Sequence, residues 1–161
     1  MNIVLTGPMG AGKTTVGIQA ARALGMEFVD TDRMIEEKFG CTINELFSGK
    51  DEEHFREIEK KVIEAVSKND NLIIATGGGV VLCPENMRRL RSNGVIINFE
   101  APTTVLLKRL EKSTSRPLLA SGKKRRSEFE KYLGERAPFY ANTDFKIDTN
   151  QMTMADVAEK V

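Results

Sequence analysis

Gly7-Pro8-Met9-Gly10-Ala11-Gly12-Lys13-Thr14 conforms to the pattern G-x-x-x-x-G-K-[ST], and its surroundings decide what the match means. Ile3-Val4-Leu5 before it is a short apolar run of the kind that forms a buried parallel strand. After it, Val16, Ala20, Ala21 and Leu24 recur at helical spacing, and Gly25 follows as a helix stop. Strand, glycine loop and helix in that order make a phosphate-binding loop. Gly7, Gly10 and Gly12 allow successive backbone N–H groups to turn toward one point, and a helix starting near Lys13 adds the positive end of its dipole. Lys13 is then placed to reach the β- and γ-phosphates of a nucleotide, and the Thr14 hydroxyl to ligate Mg²⁺.

The rest of the composition narrows the class. A chain of 161 residues suits one compact domain. A hydrophobic content of 40% with 29% charged residues is ordinary for a soluble globular protein. The net charge of +1 gives no basic field for nucleic acid, and no apolar run is long enough to span a membrane. The N-terminal apolar run passes directly into the glycine loop, so a signal peptide is not expected. Cys41 and Cys83 form no metal or disulfide pattern, consistent with a reducing cytoplasm, and the lone His54 excludes a histidine-rich metal site. Nothing points to an obligate interface, so a monomer is the default.

Further along, Glu27-Phe28-Val29 is a weak strand ending in Asp30-Thr31-Asp32. On an extended segment the two carboxylates point to the same side, at a strand end where open α/β sheets bind ligands. Asp30 could support Mg²⁺, directly or through water, with Asp32 meeting an acceptor hydroxyl; equally, the segment could be a solvated turn that caps the next helix. Helical patterns then run from Arg33 to Asn69: a short face of Met34, Ile35 and Phe39 closed by Gly40, a capping box of Thr42 and Glu45 leading through Leu46 and Phe47, and a longer amphipathic helix from near Asp51 carrying Phe55, Ile58, Val62 and Val66. So much helix exceeds a minimal crossover and reads as a substrate-binding region over about residues 31–60. Arg56 lies on another face of the long helix, and spacing alone does not single it out.

Leu72-Ile73-Ile74-Ala75 is the clearest buried strand, and it ends in Thr76-Gly77-Gly78-Gly79 instead of the acid that many phosphate-loop proteins carry there. Three glycines let a small ligand lie against the backbone, and the missing acid returns the metal-supporting role to Asp30. A helix from Pro84 stopped by Gly94, the strand Val95-Ile96-Ile97, and a helix opened by Pro102 follow. The polar stretch from Lys112 to Lys124, with Arg116-Pro117-Leu118-Leu119 at its centre, has the character of a lid over transferring phosphate, or of a solvated loop. A helix over Ser127–Tyr140 with Arg136 one turn before Tyr140, the strand Phe145-Lys146-Ile147 and a closing helix with Met154, Val157, Ala158 and Val161 complete the chain.

Together the segments Gly7–Thr15, Phe28-Val29-Asp30-Thr31-Asp32, Phe55-Arg56-x-x-Glu59, Gly77-Gly78-Gly79, Arg116-Pro117-Leu118-Leu119 and Arg136-x-x-x-Tyr140 resemble shikimate kinase, in the nucleoside-monophosphate-kinase-like group of P-loop proteins. The resemblance covers nearly the whole chain. It implies a single kinase domain over 1–161, a three-layer α/β/α fold with a five-stranded parallel sheet of order 2-3-1-4-5, and transfer of the γ-phosphoryl of ATP to the 3-hydroxyl of shikimate, a step toward chorismate and the aromatic amino acids. It also implies that ATP is held by Gly10, Ala11, Gly12, Lys13, Thr14, Thr15, Arg109, Arg116 and Thr149. The implied shikimate contacts are Asp32, Arg56, Gly77, Gly78, Gly79 and Arg136, with Arg56 and Arg136 on the carboxylate. Lys13, Asp32 and Arg116 would act on the transferring group, and Mg²⁺ would be held by Thr14 and Asp30. The rival readings are a gluconate or other small-molecule kinase of the same fold, and a nucleotide-binding switch without turnover. The second leaves Arg56, Arg136 and the triple glycine without work.

Overall fold

Val4, Ile74 and Ile96 stand side by side in register at the middle of the sheet, all fully buried. They belong to β1 (Asn2–Thr6), β3 (Leu72–Ala75) and β4 (Gly94–Glu100). β2 (Glu27–Asp30) pairs with β3, and β5 (Phe145–Asp148) with β4. Every pairing is parallel, and the order is β2-β3-β1-β4-β5, as the resemblance implies. The structure, a computed structural model, describes residues 1–43, 45–46, 52–112, 123–150 and 152–161. Phe47, Asp51 and the segment carrying Arg116 lie outside the described residues.

Near-continuous apolar strands are what a sheet covered on both faces requires. Because side chains alternate across a strand, Val4, Ile74 and Ile96 enter one core, and their neighbours Leu5, Ile73 and Ile97 enter the other. Against the first pack α2 (Thr31–Phe39) through Ile35, α3 (Glu52–Ser67) through Phe55, Val62 and Ile63, and α4 (Pro84–Ser92) through Met87 and Leu90. Against the second pack α1 (Lys13–Leu24) through Val16 and Ala20, α5 (Thr103–Glu111) through Leu106, and α7 (Met154–Lys160) through Val157. The helix α6 (Lys123–Ala141) contributes to both, with Phe129 in the second core and Tyr140 in the first. This is a three-layer α/β/α arrangement.

Local signals hold at most ends. Gly25 and Gly40 close α1 and α2 in the left-handed conformation, at φ 65° and 66°. The Thr42–Glu45 capping box forms: Thr42 donates its backbone N–H to Glu45 Oε2 at 2.7 Å, and Thr42 Oγ1 accepts from the Glu45 N–H at 3.2 Å. Two expectations shift, and one element is added. Gly94 is the first residue of β4 and not the stop of α4, whose C-cap is Asn93; a Cβ on Gly94 would lie 2.8 Å from the Leu90 carbonyl oxygen, so close approach and not a turn demands glycine there. A 3-10 turn over Val80–Leu82 follows the triple glycine. And α6 starts at Lys123, so its first two residues overlap the end of the segment read as a lid.

Candidate active site

The phosphate loop leaves β1 between β3 and β4, where the chain crosses to opposite sides of the sheet and open α/β folds place their ligands. Gly7 has φ 134°, and a Cβ there would lie 2.5 Å from the Phe99 carbonyl oxygen on β4, so no other residue fits. Gly12 precedes α1 at φ 94° and offers no side-chain cap, which leaves the first-turn N–H groups open to an anion. Lys13 curls back over the loop, its Nζ donating to the carbonyls of Gly7 at 2.7 Å and Pro8 at 3.0 Å.

Asp30 links this loop to the acceptor side. Thr14 Oγ1 donates to Asp30 Oδ2 at 2.7 Å, while Asp30 Oδ1 accepts from the N–H groups of Asp32 at 3.1 Å and Arg33 at 3.2 Å. One of its oxygens thus caps α2 and the other meets the Thr14 hydroxyl. The expected extended Asp-x-Asp arrangement does not form: Asp30 ends β2, and Asp32 sits in the first turn of α2. Asp32 still reaches the same cleft of about 340 Å³, whose lining includes Lys13, Thr14, Asp30, Gly78 and Arg109.

The triple glycine explains how residues distant in sequence meet. None of the three has positive φ; what each lacks is room. A Cβ on Gly77 would collide with the Asp32 carboxylate, one on Gly78 would lie 2.8 Å from the Tyr132 hydroxyl, and one on Gly79 would lie 2.5 Å from an Arg56 Nη. The space is taken by the protein's own polar side chains, arriving from α2, α6 and α3. Backbone groups are tied down as well: Gly77 donates its N–H to Thr31 Oγ1 at 3.2 Å, and the Gly78 carbonyl accepts from the Tyr140 hydroxyl at 2.7 Å.

The two arginines expected on a carboxylate differ in setting. Arg56 donates from one Nη to both oxygens of Glu59 at 2.9 Å, and Glu52 stands 3.4 Å from the other Nη. Burial pushes the Glu59 carboxyl above the usual carboxylate range, against the opposing attraction of Arg56. Arg136 instead lies over the Tyr132 ring, with Cζ 3.7 Å from its centroid. Burial also pushes the Tyr140 phenol far above its ordinary value, with the neighbouring Tyr132 hydroxyl adding to it, so Tyr140 stays a neutral donor. On the nucleotide side, Arg109 donates to Thr149 Oγ1 at 2.9 Å, to the Thr149 carbonyl at 2.7 Å and more weakly to Gly10 O at 3.4 Å. These three expected ATP contacts are thus brought together. Tyr132, Thr31 and Glu52 were not singled out by sequence. Only Tyr132 left a usable signal, as the i, i+4, i+8 series of Tyr132, Arg136 and Tyr140 on one helix face.

Thr14 and Asp30 offer a hydroxyl and a carboxylate, the hard oxygen donors that suit Mg²⁺. Among the described residues no group of three or more His, Cys, Asp or Glu could hold a metal unaided. A site completed by nucleotide phosphates and water fits that donor set. Among the described residues, too, no helix is long and apolar enough to cross a membrane.

Comparison with known proteins identifies the family. The family model for shikimate kinase matches residues 9–161. A shikimate kinase of Caldicellulosiruptor bescii is 51% identical over 160 residues, covering 99% of this chain and 92% of that one. Among solved structures, a shikimate kinase from Acinetobacter baumannii in complex with shikimate superposes with a TM-score of 0.91 at 38% identity, covering 99% of this chain and 89% of that one. A shikimate kinase from Bacteroides thetaiotaomicron gives a TM-score of 0.91 at 32% identity, covering 99% and 95%.

Proposed function

Because the chain belongs to the shikimate kinase family, we propose that its cleft transfers the γ-phosphoryl of ATP to the 3-hydroxyl of shikimate. The observation that carries this reading is the convergence of the phosphate loop, Asp32 and the glycine turn on one cleft. One half of the cleft suits a nucleoside triphosphate and the other a small hydroxylated acid.

The backbone N–H groups of Gly10 to Thr15 and the Lys13 ammonium take the β- and γ-phosphates, the carbonyls of Gly7 and Pro8 keeping Lys13 over the loop beforehand. Arg109 and Thr149 form the adenine side. Arg56 and Arg136 orient the acceptor carboxylate with their planar donors, and Gly78, which lines the cleft, meets the ring, while Gly77 and Gly79 make room for Asp32 and Arg56 beside it. Asp32 accepts a hydrogen bond from the attacking hydroxyl and receives its proton as the new O–P bond forms and the bond to the leaving ADP oxygen breaks. Thr14, with Asp30 behind it, would hold Mg²⁺, and the ion would supply neutralisation of the phosphate charge. Arg116 completes the neutralisation from a lid of about residues 112–124, and residues 31–60 form the acceptor region. The protein's contribution is positioning and charge stabilisation, with no covalent intermediate. The same reading makes 1–161 one kinase domain, working as a cytoplasmic monomer, with Cys41 and Cys83 free thiols.

The test is regiochemical. The product formed from ATP and shikimate should show phosphorus–proton coupling at position 3 by NMR; coupling at another ring position contradicts the assignment.

A further inference from the structure

Arg56 and Arg136 are held by different physics. Arg56 is fixed by carboxylates, chiefly the buried Glu59, whose side chain is 2% exposed. Arg136 has no acidic partner among the described residues. Among those residues an Nη donates to the Tyr132 carbonyl at 3.5 Å, and the buried Nε has no acceptor. What holds it is a ring: Cζ stands 3.7 Å from the Tyr132 centroid.

That ring is itself anchored. It stacks on Phe129 with centroids 5.7 Å apart and planes 9° from parallel, and Phe129 is a fully buried member of the core. At its other end, the Tyr132 hydroxyl occupies the space that a side chain on Gly78 would need. Phe129, Tyr132, Arg136 and Tyr140 follow one another at three- and four-residue steps, so one face of α6 runs from the core to the glycine turn.

We propose that Tyr132 is a positioning residue for the acceptor carboxylate, its ring presenting the Arg136 guanidinium to the ligand. A carboxylate partner would occupy the guanidinium donors and cancel their charge. An aromatic face attracts the cation through its quadrupole and leaves the N–H donors at the guanidinium edge for the ligand. The pair of arginines then divides the work, Arg56 compensated by Glu59 and Arg136 bringing the uncancelled charge. This inference rests on the reading of Arg136 as a carboxylate ligand.

Steady-state kinetics of Tyr132→Leu, Tyr132→Phe, Arg136→Ala and the Tyr132→Leu/Arg136→Ala double variant test it. Tyr132→Leu is expected to raise the KM for shikimate about 3- to 10-fold, the size of a partly buried cation–π contact, with kcat and the KM for ATP within about twofold of native. Tyr132→Phe, which keeps the ring, should return most of the loss, and Tyr132→Leu should add nothing once Arg136 is alanine. Should Tyr132→Leu not fold, Tyr132→Gln removes the ring at this half-buried position with the same expectation. An unchanged shikimate KM in the ringless variants, beside a raised one in Arg136→Ala, overturns the role of Tyr132 and leaves the carboxylate reading standing. So does an equal effect of Tyr132→Leu with and without Arg136. An unchanged shikimate KM in Arg136→Ala overturns both.

Discussion

Glu59 sits at 2% exposure beside Arg56, and the balance between burial and attraction fixes its behaviour with pH. Burial prevails, so the folded chain binds the Glu59 proton more tightly than the unfolded chain does. Ionised Glu59 therefore costs stability at neutral pH. The cost is relieved as pH falls through the raised folded value, and fully so below the ordinary carboxylate pKa. Denaturant midpoints from about pH 7 down to about pH 4 should show the native chain gaining on Glu59→Gln as acid is added. A native chain that loses ground to the variant over that window contradicts the direction. Asp32 supplies the second prediction at this scale. Asp32→Asn keeps the shape beside Gly77 but cannot take the hydroxyl proton, so kcat should fall by about 10²- to 10⁴-fold with little change in the KM for ATP. Full activity in that variant removes Asp32 as the proton acceptor.

Among the elements, the turn at Gly77-Gly78-Gly79 gathers side chains of α2, α3 and α6 at the proposed acceptor site. Gly78→Ala would drive a methyl to 2.8 Å from the Tyr132 hydroxyl and 3.4 Å from that of Tyr140. Neither can retreat easily, since the Tyr132 ring is stacked on Phe129 and Tyr140 is buried with its hydroxyl on the Gly78 carbonyl. The variant should raise the KM for shikimate about tenfold, on the scale of an overpacked site, and leave the KM for ATP alone. A shikimate KM at the native value would show that the tyrosines yield without cost. This turn also marks where sequence reading stops. The phosphate loop, the Gly25 and Gly40 stops and the Thr42–Glu45 box depend on neighbours a few residues away, so local pattern reveals them. The three glycines are conspicuous in the sequence, but their reason is not. Open space for a ligand and space filled by Asp32, Tyr132 and Arg56 give the same letters, and only tertiary packing distinguishes them. Gly94 misleads for a related cause: a glycine after a helix resembles a stop, whereas this one admits the Leu90 carbonyl. The place of Asp32 at the cleft is legible in the sequence while its backbone is not, because Asp30 caps α2 and turns the segment one residue sooner than alternation implies.

For the whole molecule, the parallel sheet with both faces covered leaves its strand ends as the place for chemistry, and the order β2-β3-β1-β4-β5 puts the phosphate loop at their centre. This much follows from five apolar runs and one loop, and it is common to kinases with quite different acceptors. Under the proposed function, what narrows the acceptor to a small hydroxylated acid is Asp32 together with Arg56 and Arg136, drawn from three helices around the glycine turn. The most direct measurement is therefore ATP consumption with Mg²⁺ in the presence of shikimate, of gluconate and of no acceptor. Strong stimulation by shikimate alone is the expected result. Stimulation by gluconate in its place would keep the fold and the phosphate loop and contradict the acceptor site, and stimulation by neither would contradict phosphoryl transfer to a small acid altogether.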